Sequence, residues 1–502
     1  MLALGVLVVH DVPYMLSQSF WTDEGWVVAT TKFPLSQLRE TTSSTPIGWS
    51  ALLRLVTVPR TQSPRLLPLA FAGVAVLVAY WFARQLGWRH REAAVCAGLL
   101  GGIAALLVPA ILVQDGLNQY TADACLSLAV LALTSRLERD WSRRGLAALS
   151  VAVWGGMLFS DGVTFVGIAA FVALCVVQLA RRDWRRFAEA CAASAITAVL
   201  MLAVYEAFDA RAVSTGLING QHMRYYFVPL DSASAAVTFI TSHFAAVKQY
   251  FGLGPVWIAV PLVVAGIITI ARLGKPATAL AFVALWPVML CVNAVRRYPF
   301  LDERTSTFLF AVTAVVAAVG VVGISGLLWP LLKDWAVATT IGLAAVAALS
   351  FAVTAGPFVR SHHIPTEHER QQTFYVAQHA APDNVIVVST ATNWGFAYYW
   401  PTGKPARRTD HYVAQQYEAY FPTQPRIVVA LNGKPGGVTS ALSQAVHQSE
   451  LRSCTTIWLI RTHVSASEAA AWRTALSARR LVATPVGRDG LSIIQVPKSL
   501  CQ

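Results

Sequence analysis

Two adjacent carboxylates, Asp23 and Glu24, lie early in the chain, in the stretch SFWTDEGWVVAT at residues 19–30. A carboxylate within hydrogen-bond reach of a hydroxyl can accept its proton, and of two neighbouring carboxyls one can stay ionised while the other holds a proton. The pair therefore predicts general acid–base chemistry. A structural interpretation is also open: Thr22 would cap a helix whose first turn carries the two acids, where they complement the helix dipole.

The composition predicts a membrane protein. The 502-residue chain is 55% hydrophobic and only 13% charged, and its mean hydropathy is +0.52. Soluble domains carry about 25% charged residues. The net charge of +13 would suit nucleic acid. Its arginines, however, cluster in short loops between apolar runs, which is the membrane-orientation pattern, so nucleic-acid binding is not predicted.

Apolar runs near the length that crosses a bilayer, about 20 residues, recur along the chain. The first, Met1 to Leu16, is short and contains Asp11. It lacks a basic leader and a clear cleavage site, so it is not interpreted as a signal peptide, and an upstream stretch would complete its helix. The further runs lie at 66–83, 93–113, 120–137, 145–159, 162–180, 187–207, 252–272, 276–293, 306–329 and 335–356. These runs predict about eleven spans.

The positions of the basic loops predict the orientation. Arginine and lysine groups fall in alternate connections, which the positive-inside rule places in the cytoplasm. The N-terminus is then inside and the C-terminus outside. This assignment depends on a tight outer hairpin at Phe159-Ser160-Asp161-Gly162. Residues 17–65 form a long first outer loop, with amphipathic segments WVVATTKFPLSQL and IGWSALLRLV suited to the membrane surface.

The composition changes near Gly356, which predicts a transmembrane domain at 1–356 and an extracytoplasmic domain at 357–502. Short runs of β-branched residues predict strands, and helical spacing lies between them, so we expect an α/β domain with a mainly parallel sheet. The predicted strands are VIVVST (385–390), RIVVALN (426–432), TIWLIRT (456–462) and LSIIQV (491–496). The predicted helices are 365–381, 438–450 and 465–479.

Acidic residues recur at the predicted outer ends of the spans. Ionisable groups at membrane depth are costly and tend to face a cavity or a partner, so their grouping on one side predicts a polar, outward-facing chamber. Besides Asp23 and Glu24, these residues are Asp115, Asp123, Asp161, Glu206 and Asp209.

The order of these features resembles the GT-C glycosyltransferases, a polytopic α-helical membrane superfamily, and especially its protein O-mannosyltransferases and bacterial aminoarabinose transferases. Four stretches within residues 1–330 carry the resemblance: SFWTDEGWVV, TPIGWSALLRLV with RLLPLAFAGVAVLVAYWFAR, QDGLNQYTADACLSLAVLAL, and RRYPFLDERTSTFLF. The turn before the second stretch carries a single proline, Pro46, where relatives often carry a His-Pro-Pro type sequence.

The resemblance implies an inverting transfer of sugar from a polyprenyl-phosphate donor to a cell-envelope glycan, lipid or protein. Asp23 matches the family's base position, and Glu24 would orient it or bind the acceptor. No cofactor is predicted. A divalent cation held by Asp23 and Asp115 is an open alternative, but no metal is predicted.

A phosphate leaving group needs a cation beside it, preferably arginine, whose planar fork suits phosphate. The predicted outer loop NAVRRYPFLDERTS supplies Arg296, Arg297 and Arg304. Outer arginines are disfavoured by the positive-inside rule, which makes their location informative. Contacts with lipid headgroups, or an ion pair of Arg304 with a neighbouring acid, remain the alternative interpretation.

Polar residues in two further outer loops are candidates for acceptor or pocket contacts. They are Asp115, Gln119 and Tyr120 after the third span, and His222 and Arg224 in the loop 209–250. Asp115 before a glycine is equally typical of a turn, and a solvated loop face is the alternative for the second group. If the C-terminal part lies outside the cell, a disulfide between Cys454 and Cys501 is expected.

Two other functions remain open. A flippase for a lipid-linked saccharide would also need a polar chamber and basic contacts, but neither inverted repeats nor paired broken helices are found in the sequence. A catalytically inactive GT-C protein used for assembly is the third hypothesis.

Overall fold

The computed structural model describes residues 1–42, 45–108, 116–210, 223–247, 256–332, 335–360, 367–408, 418–487 and 490–497. Its helices in chain order are α1 (Gly5–Val9), α2 (Val12–Ser17), α3 (Thr22–Ala29), α4 (Leu38–Thr41), α5 (Ile47–Val56), α6 (Leu66–Arg84), α7 (Arg91–Leu107), α8 (Tyr120–Arg139), α9 (Arg143–Gly156), α10 (Gly162–Ala180), α11 (Trp184–Val204), α12 (Ala233–Val247), α13 (Val256–Arg272), α14 (Pro276–Ala294), α15 (Thr307–Leu332), α16 (Ala336–Arg360), α17 (Glu369–His379), α18 (Asn393–Tyr399), α19 (Pro435–Glu450) and α20 (Ala466–Ala478). Its strands are β1 (Val385–Val388), β2 (Ala406–Arg408), β3 (Glu418–Tyr420), β4 (Ile427–Val429), β5 (Ile457–Ile460), β6 (Ala483–Pro485) and β7 (Leu491–Ile494).

The chain forms two compact units. The first comprises Met1–Val12 and Leu67–His363, and the second comprises Pro13–Leu66 and Ile364–Gln502. The first outer loop, which the sequence analysis assigned to the transmembrane domain, therefore packs with the C-terminal residues. The predicted domain boundary near residue 356 did not group the first outer loop with the C-terminal residues. The boundary itself stays a prediction.

The first unit is helical, and each of the ten apolar runs predicted after the first segment corresponds to a helix, α6 to α11 and α13 to α16. Every residue of α15 from Phe308 to Val322 is buried, as expected of a helix that is apolar all round. Helix α13 crosses α15 closely: a Cβ added at Gly320 would lie 2.0 Å from the carbonyl oxygen of Leu262. Glycine is therefore required at this crossing.

Six helices among the described residues are long and apolar enough to cross a membrane. They are Ser63–Arg84, Gly162–Ala180, Trp184–Phe208, Pro276–Ala294, Thr307–Leu327 and Ala336–Val359. Helices α7, α9 and α13 are shorter, and α8 carries several charged residues. The figure of about eleven spans therefore stays a prediction.

The second unit contains a five-stranded sheet in the order β4-β1-β5-β7-β6. The four predicted strands and three predicted helices of the C-terminal region are confirmed. The sheet is less parallel than expected: β1 pairs in parallel with β4 and β5, whereas β7 is antiparallel to both β5 and β6. The reason is a short connection from β6 to β7, which returns the chain as a hairpin rather than through a helix.

Candidate active site

Helix α3 carries the two carboxylates, and its start is fixed by its own residues. Trp21 is the residue before the first turn, and Glu24 reaches back so that its Oε2 accepts a hydrogen bond from the Trp21 N–H at 3.4 Å. The predicted structural role of the acids in the first turn is thus present. The predicted cap, Thr22, instead lies inside the helix as its first residue.

Glu24 is held by a buried ion pair with Arg65. The Arg65 Nε donates to Glu24 Oε1 at 2.9 Å, and the Arg65 Nη2 donates to Glu24 Oε2. Both side chains are only 1% exposed. The same guanidinium donates to the carbonyl oxygens of Met15, Gln18 and Ser19, so it ties α3 to the segment before it. Of the two roles predicted for Glu24, this contact supports orienting Asp23 rather than binding an acceptor.

Asp23 lies beside this buried pair and remains partly exposed. The residue before it is bonded to the C-terminal part: Glu367 Oε2 accepts from the Thr22 N–H at 3.1 Å and from the Thr22 hydroxyl at 3.3 Å. The Glu367 Oε1 pairs with His463 Nδ1 at 2.8 Å. The first turn of α3 is therefore fixed from both sides, and Asp23 itself remains partly exposed.

Helix α3 docks at the edge of the sheet where parallel strands β1 and β5 end. The loops after these strands are joined by hydrogen bonds between Thr392 and Thr462, and α18 begins one residue later at Asn393. Gly25 of α3 packs on Gly395 of α18, where a Cβ at Gly25 would lie 3.2 Å from the Gly395 nitrogen. The carboxyl edge of a parallel sheet is the usual location of α/β ligand sites, and here α3 occupies it.

A second buried acid lies under this contact. Glu369 is 1% exposed, and a Cβ at Gly395 would meet its Oε2 at 1.8 Å. Burial, followed by the negative charge of Glu367, raises the pKa of Glu369 well above its usual value. Burial therefore favours the protonated form of this side chain.

The first unit holds a separate polar cluster at the start of α8 and α10. Asp123 Oδ1 accepts from the Ser160 hydroxyl at 2.7 Å and from the Gly162 N–H at 3.2 Å. Asp161 Oδ2 accepts from the Gln119 amide at 2.7 Å. The predicted hairpin at 159–162 is confirmed as a break between two helices, and its Ser160 and Asp161 bond to residues at the start of α8.

The other candidates lie in the first unit or outside the described residues. Arg296 and Arg297 are exposed after α14, and Arg304 is partly exposed before α15. Arg224 is exposed and packs over the Tyr225 ring at 4.5 Å, and Tyr120 is the partly exposed first residue of α8. Asp115 and His222 fall outside the described residues. Whether these side chains bind substrate stays a prediction.

Cys454 is disulfide-bonded, as expected, while its predicted partner Cys501 lies outside the described residues. The pairing therefore stays a prediction. The five cysteines of the helical region are free.

Sequence reasoning missed Arg65, Glu367 and His463. The positive-inside argument that singled out Arg296 applies equally to Arg65, which is the last residue of the first predicted outer loop. Glu367 and His463 are single polar residues in connections, and no local pattern distinguishes them from solvated surface.

The fold of the chain is similar to those of two solved structures, ArnT and an oligosaccharyltransferase, and six helices among the described residues are long and apolar enough to cross a membrane. The structure of ArnT from Cupriavidus metallidurans in the apo state superposes with a TM-score of 0.53 at 13% identity, covering 100% of this chain and 98% of that one. The Archaeoglobus fulgidus oligosaccharyltransferase, in complex with Zn and sulfate, superposes with a TM-score of 0.50 at 12% identity, covering 91% and 67%. No family model and no curated protein matches the sequence. The predicted resemblance is thereby confirmed at the level of the fold.

Proposed function

We propose that this protein is a membrane glycosyltransferase that moves a sugar from a polyprenyl-phosphate donor to an extracytoplasmic cell-envelope acceptor, with inversion. The observation that carries the proposal is the first turn of α3. Arg65 holds the Glu24 side chain and Glu367 accepts from the Thr22 N–H, yet Asp23 stays partly exposed. A rigidly held, accessible carboxylate is what a general base requires.

The step is a single displacement at the anomeric carbon. The acceptor hydroxyl oxygen forms the new C–O bond, the bond to phosphate breaks with its electron pair leaving on the polyprenyl phosphate, and the hydroxyl proton passes to Asp23. Glu24 orients this helix through Arg65. Attack opposite the leaving group inverts the anomeric centre.

The phosphate bears the developing negative charge, and we assign its binding to Arg296, Arg297 and Arg304. Two of these side chains are exposed and the third partly so, which leaves their guanidinium groups accessible to a ligand. Gln119, Tyr120 and Arg224 are proposed acceptor or pocket contacts, together with Asp115 and His222.

The proposed orientation places α3 and the C-terminal residues outside the cytoplasm, with the N-terminus inside. A polyprenyl-phosphate donor fits the aminoarabinose transferase neighbour. The neighbours do not favour a flippase. Turnover separates the functions, because an enzyme releases polyprenyl phosphate, a flippase moves the donor unchanged and an assembly protein does neither.

The test uses purified protein in nanodiscs with radiolabelled polyprenyl-phosphate sugars and an envelope extract as acceptor. We expect release of polyprenyl phosphate by the wild type and a loss of about 100-fold or more in Asp23→Asn, since a positioned base contributes at least that factor. The matched control is Asp383→Asn, the same change at an exposed aspartate before β1. Equal release by wild type and Asp23→Asn would remove Asp23 as base, and no release with any donor would overturn the enzyme.

A further inference from the structure

The connection after β5 carries an ionisable side chain that the proposed mechanism does not yet use. His463 is 55% exposed, and its Nδ1 lies 2.8 Å from Glu367 Oε1. Its backbone has a φ of 52°, in the left-handed region that non-glycine residues adopt at a cost. Among the described residues this conformation marks His463 as a position held by its surroundings.

Glu367 connects this histidine to the helix that carries Asp23. One carboxylate oxygen pairs with His463, and the other accepts both hydrogen bonds from Thr22. Asp23 is the next residue along the chain. A single side chain therefore joins the end of β5 to the first turn of α3, although Thr22 and Glu367 are 345 residues apart in sequence.

The charges around His463 favour its protonated form. Its pKa is raised above the ordinary value of 6.5, first by the hydrogen bond to Glu367 and further by the negative charges of Glu367 and Asp23, which together outweigh burial. Glu367 comes from the segment before α17 and Asp23 from α3. Glu367 and Asp23 are therefore the two carboxylates whose negative charges act on this imidazole.

We propose that Glu367 and His463 form a positioning pair for the transfer reaction, an inference that rests on the proposed function. Glu367 fixes the first turn of α3, and His463 anchors Glu367 and, when protonated, adds a positive charge near that turn. The C-terminal residues then belong to the active site itself, and their role extends beyond binding an acceptor.

The first test is the pH profile of polyprenyl phosphate release. In the wild type, kcat falls as pH rises through the pKa of His463, because the imidazolium loses its charge. His463→Gln keeps a hydrogen bond to Glu367 without the charge. We expect its kcat to be about two- to fivefold lower at neutral pH, which is typical of a half-exposed charge pair. We also expect the fall of kcat at high pH, the alkaline limb of the profile, to disappear. His463→Lys restores a cation and moves the limb to much higher pH, since lysine titrates near pH 10.4.

The control is His447→Gln, at an exposed histidine of the same unit that lies 3.8 Å from Glu450. It should leave the rate and the pH profile unchanged. An unaltered alkaline limb in His463→Gln, or no recovery in His463→Lys, overturns the positioning role.

The second test needs no turnover, so it separates this inference from the proposed function. The NMR titration of ¹³C-labelled histidine, with His463 assigned from His463→Gln, gives its pKa directly. We expect a value above 6.5 in the wild type and lower values in Asp23→Asn and in Glu367→Gln. An unchanged His463 pKa in Asp23→Asn disproves the charge coupling between His463 and Asp23, even if the protein is a transferase. The expected fall of the His463 pKa, found in a protein that shows no sugar transfer, supports the coupling and rejects the enzyme.

Discussion

Buried carboxylates occur in both compact units, and they are stabilised in different ways. In the second unit Glu24 is paired with a cation, Arg65, and both are 1% exposed. In the first unit Asp123 and Asp161 accept hydrogen bonds from a hydroxyl, an amide and a backbone N–H. A cation fixes a carboxylate in one charge state and one geometry, whereas neutral donors hold it in place without fixing its charge.

Glu369 is an intermediate case. It is buried in the second unit like Glu24, but burial and the negative charge of Glu367 raise its pKa. Of these two glutamates, Glu24 is the one for which the described contacts include a guanidinium partner. Glu24 therefore fixes local geometry, while the raised pKa of Glu369 links the stability of the unit to pH.

The largest expected effect comes from breaking the ion pair. Arg65→Met leaves Glu24 buried without a cation and frees three carbonyl groups, so we expect the second unit to lose about 3–5 kcal/mol of stability. Thermal unfolding followed by tryptophan fluorescence measures the loss. Arg60→Met, at an arginine in the same loop whose contact is exposed, is the control and should change stability by about 0.5 kcal/mol or less. Similar values for the two variants would show that the pair is not essential.

The second prediction concerns Glu369 and pH. Its folded pKa lies above the ordinary 4.5, so the folded state binds more protons than the unfolded state between these two values. The free energy of unfolding must therefore fall as pH rises from 4.5 towards the folded pKa, by up to about 1.4 kcal/mol per pH unit.

Melting temperatures measured across this pH range should decline in the wild type and decline less in Glu369→Gln, which keeps a neutral side chain of the same shape. Glu450→Gln, at a partly exposed glutamate of the same unit, should follow the wild type. Identical slopes for wild type and Glu369→Gln would refute the raised pKa of Glu369.

The smallest effect is expected in the first unit. Asp123→Asn keeps an oxygen that accepts from Ser160 and Gly162, so we expect a loss of about 1 kcal/mol or less, far below that of Arg65→Met. Asp123→Leu removes the acceptor and leaves both donors buried, and should cost about 1–3 kcal/mol. Unfolding in detergent measures the stability of both variants. A loss of stability in Asp123→Asn as large as that in Arg65→Met would show that the buried carboxylates of the two units do not differ in this way.

The sequence predicted those helices and strands that depend on a local pattern of residue types. The apolar runs became helices because their length and hydrophobicity allow little else, and VIVVST and TIWLIRT became strands because β-branched residues in short runs favour the sheet. Glu24 and Arg65 lie 41 residues apart, and Thr22 and Glu367 lie 345 residues apart. Such partners are set by tertiary packing, so the charge state of each acid in the site was beyond sequence reasoning.

The same long separation has a consequence for biosynthesis. Ser19 donates a hydrogen bond to Gln371 across 352 residues, and α3 rests on a sheet edge formed by the last part of the chain. At ordinary translation rates the ribosome makes the acid-bearing loop on the order of half a minute before the residues that hold it. In the nascent protein the helices of the first unit are therefore made before the residues that hold the first turn of α3. The first turn of α3 therefore gains its partner Glu367 only after the intervening residues have been made.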